Sequence, residues 1–369
     1  MKVEAVELRI VRMPLRFPFE TSFGREDTKH AVLVRAQADG LVGWGEVPAM
    51  AAPLYNEETV ETAWHVLHDF LVPALLGVEL QHPRQVRERL HFVRRHHMAK
   101  AGLEAAVWDL YAQQQGRSLR QLLGGVQDRV EVGVSLGIEA TVDDLVRRVE
   151  GFLAEGYRRV KVKIRPGWDV EVVRELRRHF PDVPLQVDAN SAYTLEDARV
   201  FEAMDDLGLL LIEQPLGEDD LVDHAKLQAR LRTPICLDES IVHPHDARKA
   251  IELGSCRVVN IKAARLGGFS AAVETHDVCA ERGVPVWCGG MLETGIGRLA
   301  NLALASLPNF RLPGDLSASD RYFEEDLIEP PVVLEPDGTI RVPEEAGIGP
   351  RVRLDRVDRV TVRREWLRG

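Results

Sequence analysis

A closed parallel (β/α)8 barrel carrying a smaller N-terminal α+β cap is the fold class that this sequence predicts. Three observations predict it. Short apolar runs begin at Val130, Arg159, Leu185, Leu209, Ile235, Val258, Val284 and Phe310, at intervals of 23 to 29 residues, with amphipathic stretches between them. Eight near-equal βα intervals close a barrel rather than extend an open sheet. Such a barrel takes about 250 residues, and the chain has 369, so a second, smaller unit remains. The first 125 residues also have a different texture, with alternation first and helical spacing after it.

Val3–Arg12 and Ala31–Ala38 alternate as strands, Asp39-Gly40 marks a turn, and Leu41–Val47 returns as the partner of a hairpin. Helices are expected near 57–71, 83–95 and 98–115. In the last, Leu103, Val107 and Leu110 recur at helical spacing and Gly116 offers the stop. These elements make a capping domain over 1–125. The barrel is expected over 126–325, its strands in the runs at 130–137, 159–164, 185–191, 209–215, 235–240, 258–265, 284–290 and 310–319. The last segment, 326–369, returns to alternation. Val352, Leu354, Val357, Val360 and Val362 stand among Arg and Asp and read as a strand with a solvated face.

Composition excludes several function classes. Asp and Glu number 58 against 47 Lys and Arg, a net charge of −11, so no overall electrostatic reason exists to bind nucleic acid or an anionic membrane. The longest uncharged stretch, Leu299–Phe310, contains Asn and Pro and is too short to span a bilayer. The N-terminus has no apolar core of a signal peptide. The four cysteines lie in the last third without CxxC spacing and read as reduced thiols of a cytoplasmic protein. No glycine pattern of the nucleotide-binding type opens a helix. His243-Pro-His245 reads as an exposed loop.

Catalytic groups of a barrel gather at the C-terminal ends of its strands, and here the middle strands end in charge. Lys161 and Lys163 end the second strand, two residues apart and so on one face. Asp188 and Asn190 end the third in the same way. Glu213 ends the fourth, Asp238 the fifth and Lys262 the sixth. Asp188, Glu213 and Asp238 are spaced by 25 residues, one βα unit, which predicts three carboxylates at one height. A hard divalent cation, Mg²⁺ or Mn²⁺, relieves their repulsion; the alternative is an interior salt-bridge network with the lysines. Lys163 and Lys262 belong to strands two and six, which face each other across the mouth. Lysine is a poor base at its ordinary pKa of about 10.4. A nearby cation, a second lysine and desolvation are expected to lower it. Arg265 adds positive charge if it points inward and is otherwise a loop arginine.

The set Lys161-Val-Lys163, Asp188-Ala-Asn190, Glu213-Gln-Pro, Asp238-Glu-Ser and Lys262 followed by Gly267-Gly268 resembles the enolase superfamily, muconate-lactonizing subgroup. Trp287-Cys288-Gly289-Gly290 lacks the seventh-strand His of mandelate-racemase-like members. Asp315-Leu-Ser317 breaks the Asp-x-Asp of dipeptide epimerases. The stretches at 262–268, 289–298 and 312–323 are most similar to o-succinylbenzoate synthases and N-acylamino acid racemases. The resemblance implies a modified TIM-type barrel, a tail that rejoins the cap, and Mg²⁺-assisted abstraction of a proton α to a carboxylate. It implies Lys163 and Lys262 as acid–base groups, Asp188, Glu213 and Asp238 as metal ligands, and Arg265 as a residue that tunes a lysine.

By the same resemblance, the small-molecule carboxylate substrate sits near Lys161. Ser135, Asn190, Gly290, Met291 and Leu292 line its pocket, and two lid loops close it: 19–25, with Phe19 and Phe23, and 50–55, with Met50 and Tyr55. Glu293 is expected to orient a neighbouring polar group. A homo-oligomer is expected. The reaction is either dehydration in menaquinone biosynthesis or racemisation of N-acylamino acids. A dipeptide epimerase, a muconate cycloisomerase-like enzyme and a catalytically inert binding protein are the alternatives.

Overall fold

The computed structural model describes all 369 residues. Its N-terminal sheet begins with β1 (Ala5–Glu20), β2 (Arg25–Ala38) and β3 (Leu41–Val47), all antiparallel. Asp39 and Gly40 turn β2 into β3 with φ values of 51° and 76°, as a two-residue hairpin loop requires. β1 and β2 run well past their predicted ends. Beyond Met13 the hairpin leaves the apolar core, so alternation fades while backbone pairing continues, with a register shift between Pro14 and Phe19. The expected lid loop 19–25 is therefore a hairpin tip, with Phe19 still in a strand. Thr21 N–H donates to the Gly24 carbonyl at 2.8 Å, and Ile138 N–H to the Glu20 carbonyl at 2.9 Å, which pins the tip to the barrel rim.

Helix α1 (Val60–Val66) starts in a capping box on Thr59. Helix α2 (His97–Gln114) is buried almost all round, because β3 covers one side and the barrel the other. A Cβ on Gly45 would lie 2.0 Å from the Gly102 carbonyl oxygen, so β3 and α2 meet backbone to backbone.

Seven parallel strands follow in ring order: β4 (Val134–Leu136), β5 (Val160–Lys163), β6 (Leu185–Asp188), β7 (Ile212–Glu213), β8 (Ile235–Leu237), β9 (Val258–Ile261) and β10 (Val286–Cys288). The expected eighth strand is reduced to single bridges, Phe310 to Val286 and Gly314 to Val132. Pro313 has no N–H and interrupts the ladder. The ring still closes: Asp315 N–H donates to the Cys288 carbonyl at 2.8 Å, and Gly133 N–H to the Gly314 carbonyl at 2.8 Å. The first run also divides, since Arg129–Glu131 pairs antiparallel with Thr339–Arg341 and only its second half joins the barrel.

Two barrel helices matter for the cap, α3 (Phe269–Glu281) and α4 (Gly295–Ala305). The tail departs from the expected strand. Leu354, Val357 and Val360 follow a three-residue spacing, which takes Val357 off the strand face of the other two, and they form helix α5 (Leu354–Val360). Strand β11 (Thr361–Arg368) then pairs antiparallel with β1 and completes the cap sheet. No helix is long and apolar enough to cross a membrane. All four cysteines are buried and unbridged.

Two buried carboxyls from the cap plug the N-termini of these barrel helices, where free N–H groups and the helix dipole favour an acceptor. Glu46 of β3 accepts from Thr294 N–H at 3.1 Å, Thr294 Oγ1 at 2.7 Å and Gly297 N–H at 3.0 Å. Glu104 of α2 accepts from Ser270 Oγ at 2.5 Å. Burial outweighs these bonds and pushes both carboxyls up to about 7. The folded chain therefore holds the Glu104 proton where the unfolded chain, near 4.5, has released it. Stability from this group is fully present below pH 4.5 and is lost as pH rises through 7, on the order of 3 kcal/mol. Glu104→Gln should flatten the fall in Tm between pH 5 and pH 8. Thermal melts at the two pH values check this, and an unchanged slope would assign the pH dependence elsewhere.

Candidate active site

A cavity lies between the strand ends and the cap. It is lined by Ser135, Lys161, Lys163, Asn190, Lys262, Gly290, Met291 and Leu292 from the barrel, and by Phe19, Phe23, Met50 and Tyr55 from the cap. Asp188, Glu213, Asp238 and Arg265 lie beneath, 2 % exposed or less.

Lys161 and Lys163 alternate with Val160 and Val162 along β5, so both project to the same side. Lys163 Nζ donates to Asp188 Oδ2 at 2.6 Å and Asn190 Oδ1 at 2.7 Å. Lys161 Nζ lies 2.9 Å from Glu213 Oε2, 3.3 Å from Asp188 Oδ2 and 2.5 Å from Asp315 Oδ2. Asn190, with φ of 43°, turns the chain sharply after β6; its Nδ2 donates to Glu239 Oε1 at 2.8 Å. Across the mouth, Lys262 Nζ donates to Asp238 Oδ2 at 2.7 Å and to Tyr55 Oη at 3.3 Å, and sits 4.6 Å from the centre of the Tyr55 ring. Arg265 points inward, bonding Asp238, the Ile241 carbonyl at 2.7 Å and the Asn260 carbonyl at 2.6 Å. Glu293 accepts from Met291 N–H at 2.8 Å and Asn301 Nδ2 at 3.0 Å, so it orients the loop that lines the cavity.

Two expectations need correction. The three carboxylates are not at one height. Asp188 pairs with Glu213 in register, but Glu213 pairs with Cys236, which places Asp238 two residues nearer the C-terminal rim. Among the protein groups that surround them, Lys262 and Lys161 are also raised rather than lowered. Burial pushes the Lys262 ammonium down, but Tyr55, Glu239, Glu213 and Asp188 outweigh it and the direction is upward. Burial likewise opposes Lys161, and Asp315, Glu213 and Asp188 raise it. Burial pushes Asp188 up, and Lys163 and Lys161 bring it below the ordinary carboxylate range.

As arranged, no three acidic, His or Cys side chains converge closely enough to hold an ion, because each carboxylate is turned onto an ammonium or guanidinium. The donor chemistry fits a hard divalent cation nonetheless: Asp188, Glu213 and Asp238 are all-oxygen donors on three adjacent strands.

Four residues of the site are given no role in it from the sequence, Asp315 among them although its run is compared with the Asp-x-Asp of dipeptide epimerases. Asn260 Nδ2 donates to Glu213 Oε1 at 2.6 Å; its two-residue spacing from Lys262 was the available signal. Glu239, next to Asp238, is pushed up to about 7 by burial and by Asp188. Asp315 accepts from Arg159 at 2.7 Å, and Arg159 and Lys161 hold it down at about 2 against burial. Neither Arg159 nor Asp315 carries a periodic signal that joins them. His243, expected in an exposed loop, is the N-cap of the helix Pro244–Leu253, its ring nitrogen accepting from His245 N–H at 3.3 Å.

Tyr55, expected only as a lid residue, lies on the chemistry. Its hydroxyl donates to Asp238 Oδ1 at 3.2 Å, and its ring shields Lys262. Tyr55→Phe keeps the ring and should lower kcat a few-fold with little change in KM. Tyr55→Ala opens Lys262 to water and should cost more in kcat. Steady-state kinetics on both variants check this; a pure KM effect in both would return Tyr55 to a lid role.

The arrangement of lysines and carboxylates at the strand ends, beneath a cap that reaches the same cavity, defines a class. Residues 4–124 match the mandelate racemase / muconate lactonizing enzyme N-terminal domain, and residues 144–356 the enolase C-terminal domain-like family. The chain belongs to the enolase superfamily, whose members use a divalent metal, typically Mg²⁺. It is 56 % identical over 362 residues to the o-succinylbenzoate synthase of Geobacillus kaustophilus, covering 98 % of this chain and 96 % of that one. It is 51 % identical over 368 residues to the N-succinylamino acid racemase of an Amycolatopsis species, covering both chains fully. An enolase-superfamily protein of Listeria innocua has the same architecture, with a TM-score of 0.96 at 39 % identity over 100 % of this chain and 99 % of that one. The L-Ala-D/L-Glu epimerase of Bacillus subtilis is more distant, 31 % identical over 80 % of this chain and 83 % of its own.

Proposed function

We propose that this protein removes a proton α to a substrate carboxylate, acting as an o-succinylbenzoate synthase, an N-succinylamino acid racemase, or both. The observation that carries the reading is the placement of Lys163 and Lys262. They stand on strands two and six of the ring, on either side of Asp188, Glu213 and Asp238, and line one cavity. Asp188, Glu213 and Asp238 would hold Mg²⁺ or Mn²⁺. The bound ion supplies positive charge that acidifies the α-proton and stabilises the enediolate charge.

This chain's residues do the rest. Lys161 offers an ammonium to the substrate carboxylate and is itself oriented by Asp315. Lys163, oriented by Asn190, faces one side of the α-carbon, and Lys262, covered by Tyr55, the other. In racemisation one lysine takes the proton and the other returns one to the opposite face. In dehydration Lys163 takes the proton and then protonates the departing hydroxyl on the same side, while Lys262 serves as a fixed positive charge. Apolar Phe19, Phe23 and Met50 exclude water above. The charge of Asp315 is taken up by Arg159 and Lys161, which leaves little to attract a free substrate ammonium and disfavours a dipeptide epimerase. The reduced, buried cysteines suit a cytoplasmic setting.

The test is an assay of purified protein with MgCl₂ in D₂O on an N-succinylamino acid and on the β-hydroxy acid precursor of o-succinylbenzoate. Solvent deuterium at the α-carbon of the first, or elimination of water from the second, is expected. Absence of both overturns the proposal in favour of an inert binding protein.

A further inference from the structure

Four lysines are buried: Lys29, Lys161, Lys163 and Lys262. The last three are ion-paired. Lys29 alone has no carboxylate oxygen within 4.0 Å. It lies in β2, is 2 % exposed and lines the same cavity from the cap side. Its Nζ donates to the Pro48 carbonyl at 3.1 Å and to the Met291 carbonyl at 2.7 Å. Pro48 leads into the 50–55 segment and Met291 follows β10, so the ammonium sits at the seam of cap and barrel. Two of its three protons are used and the third has no protein acceptor. Glu26, on the same wall, and Glu46 act on it from beyond ion-pairing distance.

An ammonium out of water without a counter-ion is costly. The strand-end lysines are neutralised by their own carboxylates, whereas the charge of Lys29 is open toward the cavity. Phe19, Phe23 and Met50 line the same cavity and give it apolar walls suited to a short methylene arm.

We propose that Lys29 is a specificity-determining residue that takes the distal carboxylate of a dicarboxylate substrate, at the end of a succinyl arm, while the α-carboxylate sits among the strand-end lysines. The assignment rests on the reaction proposed above, whose two candidate substrates share that arm.

The first test uses the unaltered protein with MgCl₂ in D₂O. N-succinylphenylalanine is compared with its N-succinamoyl analogue, in which a neutral amide of the same shape replaces the distal carboxylate. The carboxylate form should have a KM lower by roughly tenfold or more at similar kcat, the size of one charge-assisted hydrogen bond. Lys29→Met should bring the two KM values together, and Lys29→Arg should keep most of the difference. Equal handling of both by the unaltered protein overturns the proposal even if Lys29→Met does not fold. So does a Lys29→Met protein that raises both KM values equally, since that marks a role in holding Pro48 and Met291 alone. If neither compound exchanges its α-proton, it is the reaction assignment that has failed. Calorimetric titration with N-succinylglycine then decides for Lys29: binding weakened in Lys29→Met supports the assignment, and equal binding overturns it.

Discussion

Lys262→Arg is expected to abolish racemisation while leaving measurable dehydration. Racemisation needs a base on one face of the α-carbon and an acid on the other. Arginine keeps the charge but stays protonated at any working pH. Loss of a positioned acid–base group typically costs about 10²–10⁴-fold. Dehydration by Lys163 needs only positive charge on the opposite side, and the guanidinium supplies it. The structure adds a constraint. Lys262 Nζ is held between Asp238 and Tyr55 with Arg265 on the same carboxylate, so a second guanidinium must share that partner. Lys163→Arg should abolish both reactions. α-Deuterium exchange and elimination, followed on the same preparations, check both variants. A folded Lys262→Arg protein that racemises at near the original rate would show that Lys262 is not the second base.

Asp238→Asn should have the next largest effect, on stability as well as turnover. Asp238 is fully buried and pairs with both Lys262 and Arg265. Removing its charge strands two buried cations, and breaking a buried pair from one side costs about 3–5 kcal/mol. It also takes one of three donors from the proposed metal site, so turnover should disappear even with excess MgCl₂. Chemical denaturation and calorimetric titration with Mg²⁺ measure the two effects separately. Full turnover by the unaltered protein in excess EDTA, or unimpaired Mg²⁺ binding by Asp238→Asn, would remove Asp238 from the metal set.

Much of the site is legible in the sequence because its signals are local. The spacing of Asp188, Glu213 and Asp238 repeats the βα unit itself, so each falls at a strand end wherever the barrel forms. Lys161 and Lys163 are two residues apart on a strand. The chemistry of these residues, and the resemblance they carry to the enolase superfamily, needs no knowledge of which helix packs on which. The same local reading failed where a pattern admits two periods. Leu354 and Val360 keep strand parity, but Val357 between them fits only a helical turn, and it is the residue that this helix buries.

The sequence by itself determined the eight βα intervals, the cap before them, and the identity and order of the charged strand ends, since all of these are set by residues within one unit of each other. Only the tertiary structure decided what required distant segments to meet. Tyr55 reaches Lys262 across 207 residues, and Arg159 reaches Asp315 across 156. Glu46 and Glu104 find helix N-termini in the other domain, and Lys29 joins Pro48 to Met291 across a seam. The offset of Asp238 from its two fellow carboxylates follows from how neighbouring strands slide against each other. The reduction of the eighth strand to two bridges follows from one proline in a ladder closed from both sides. Such contacts leave no period in the chain, because each is a single meeting point between surfaces whose own periodicity records only burial.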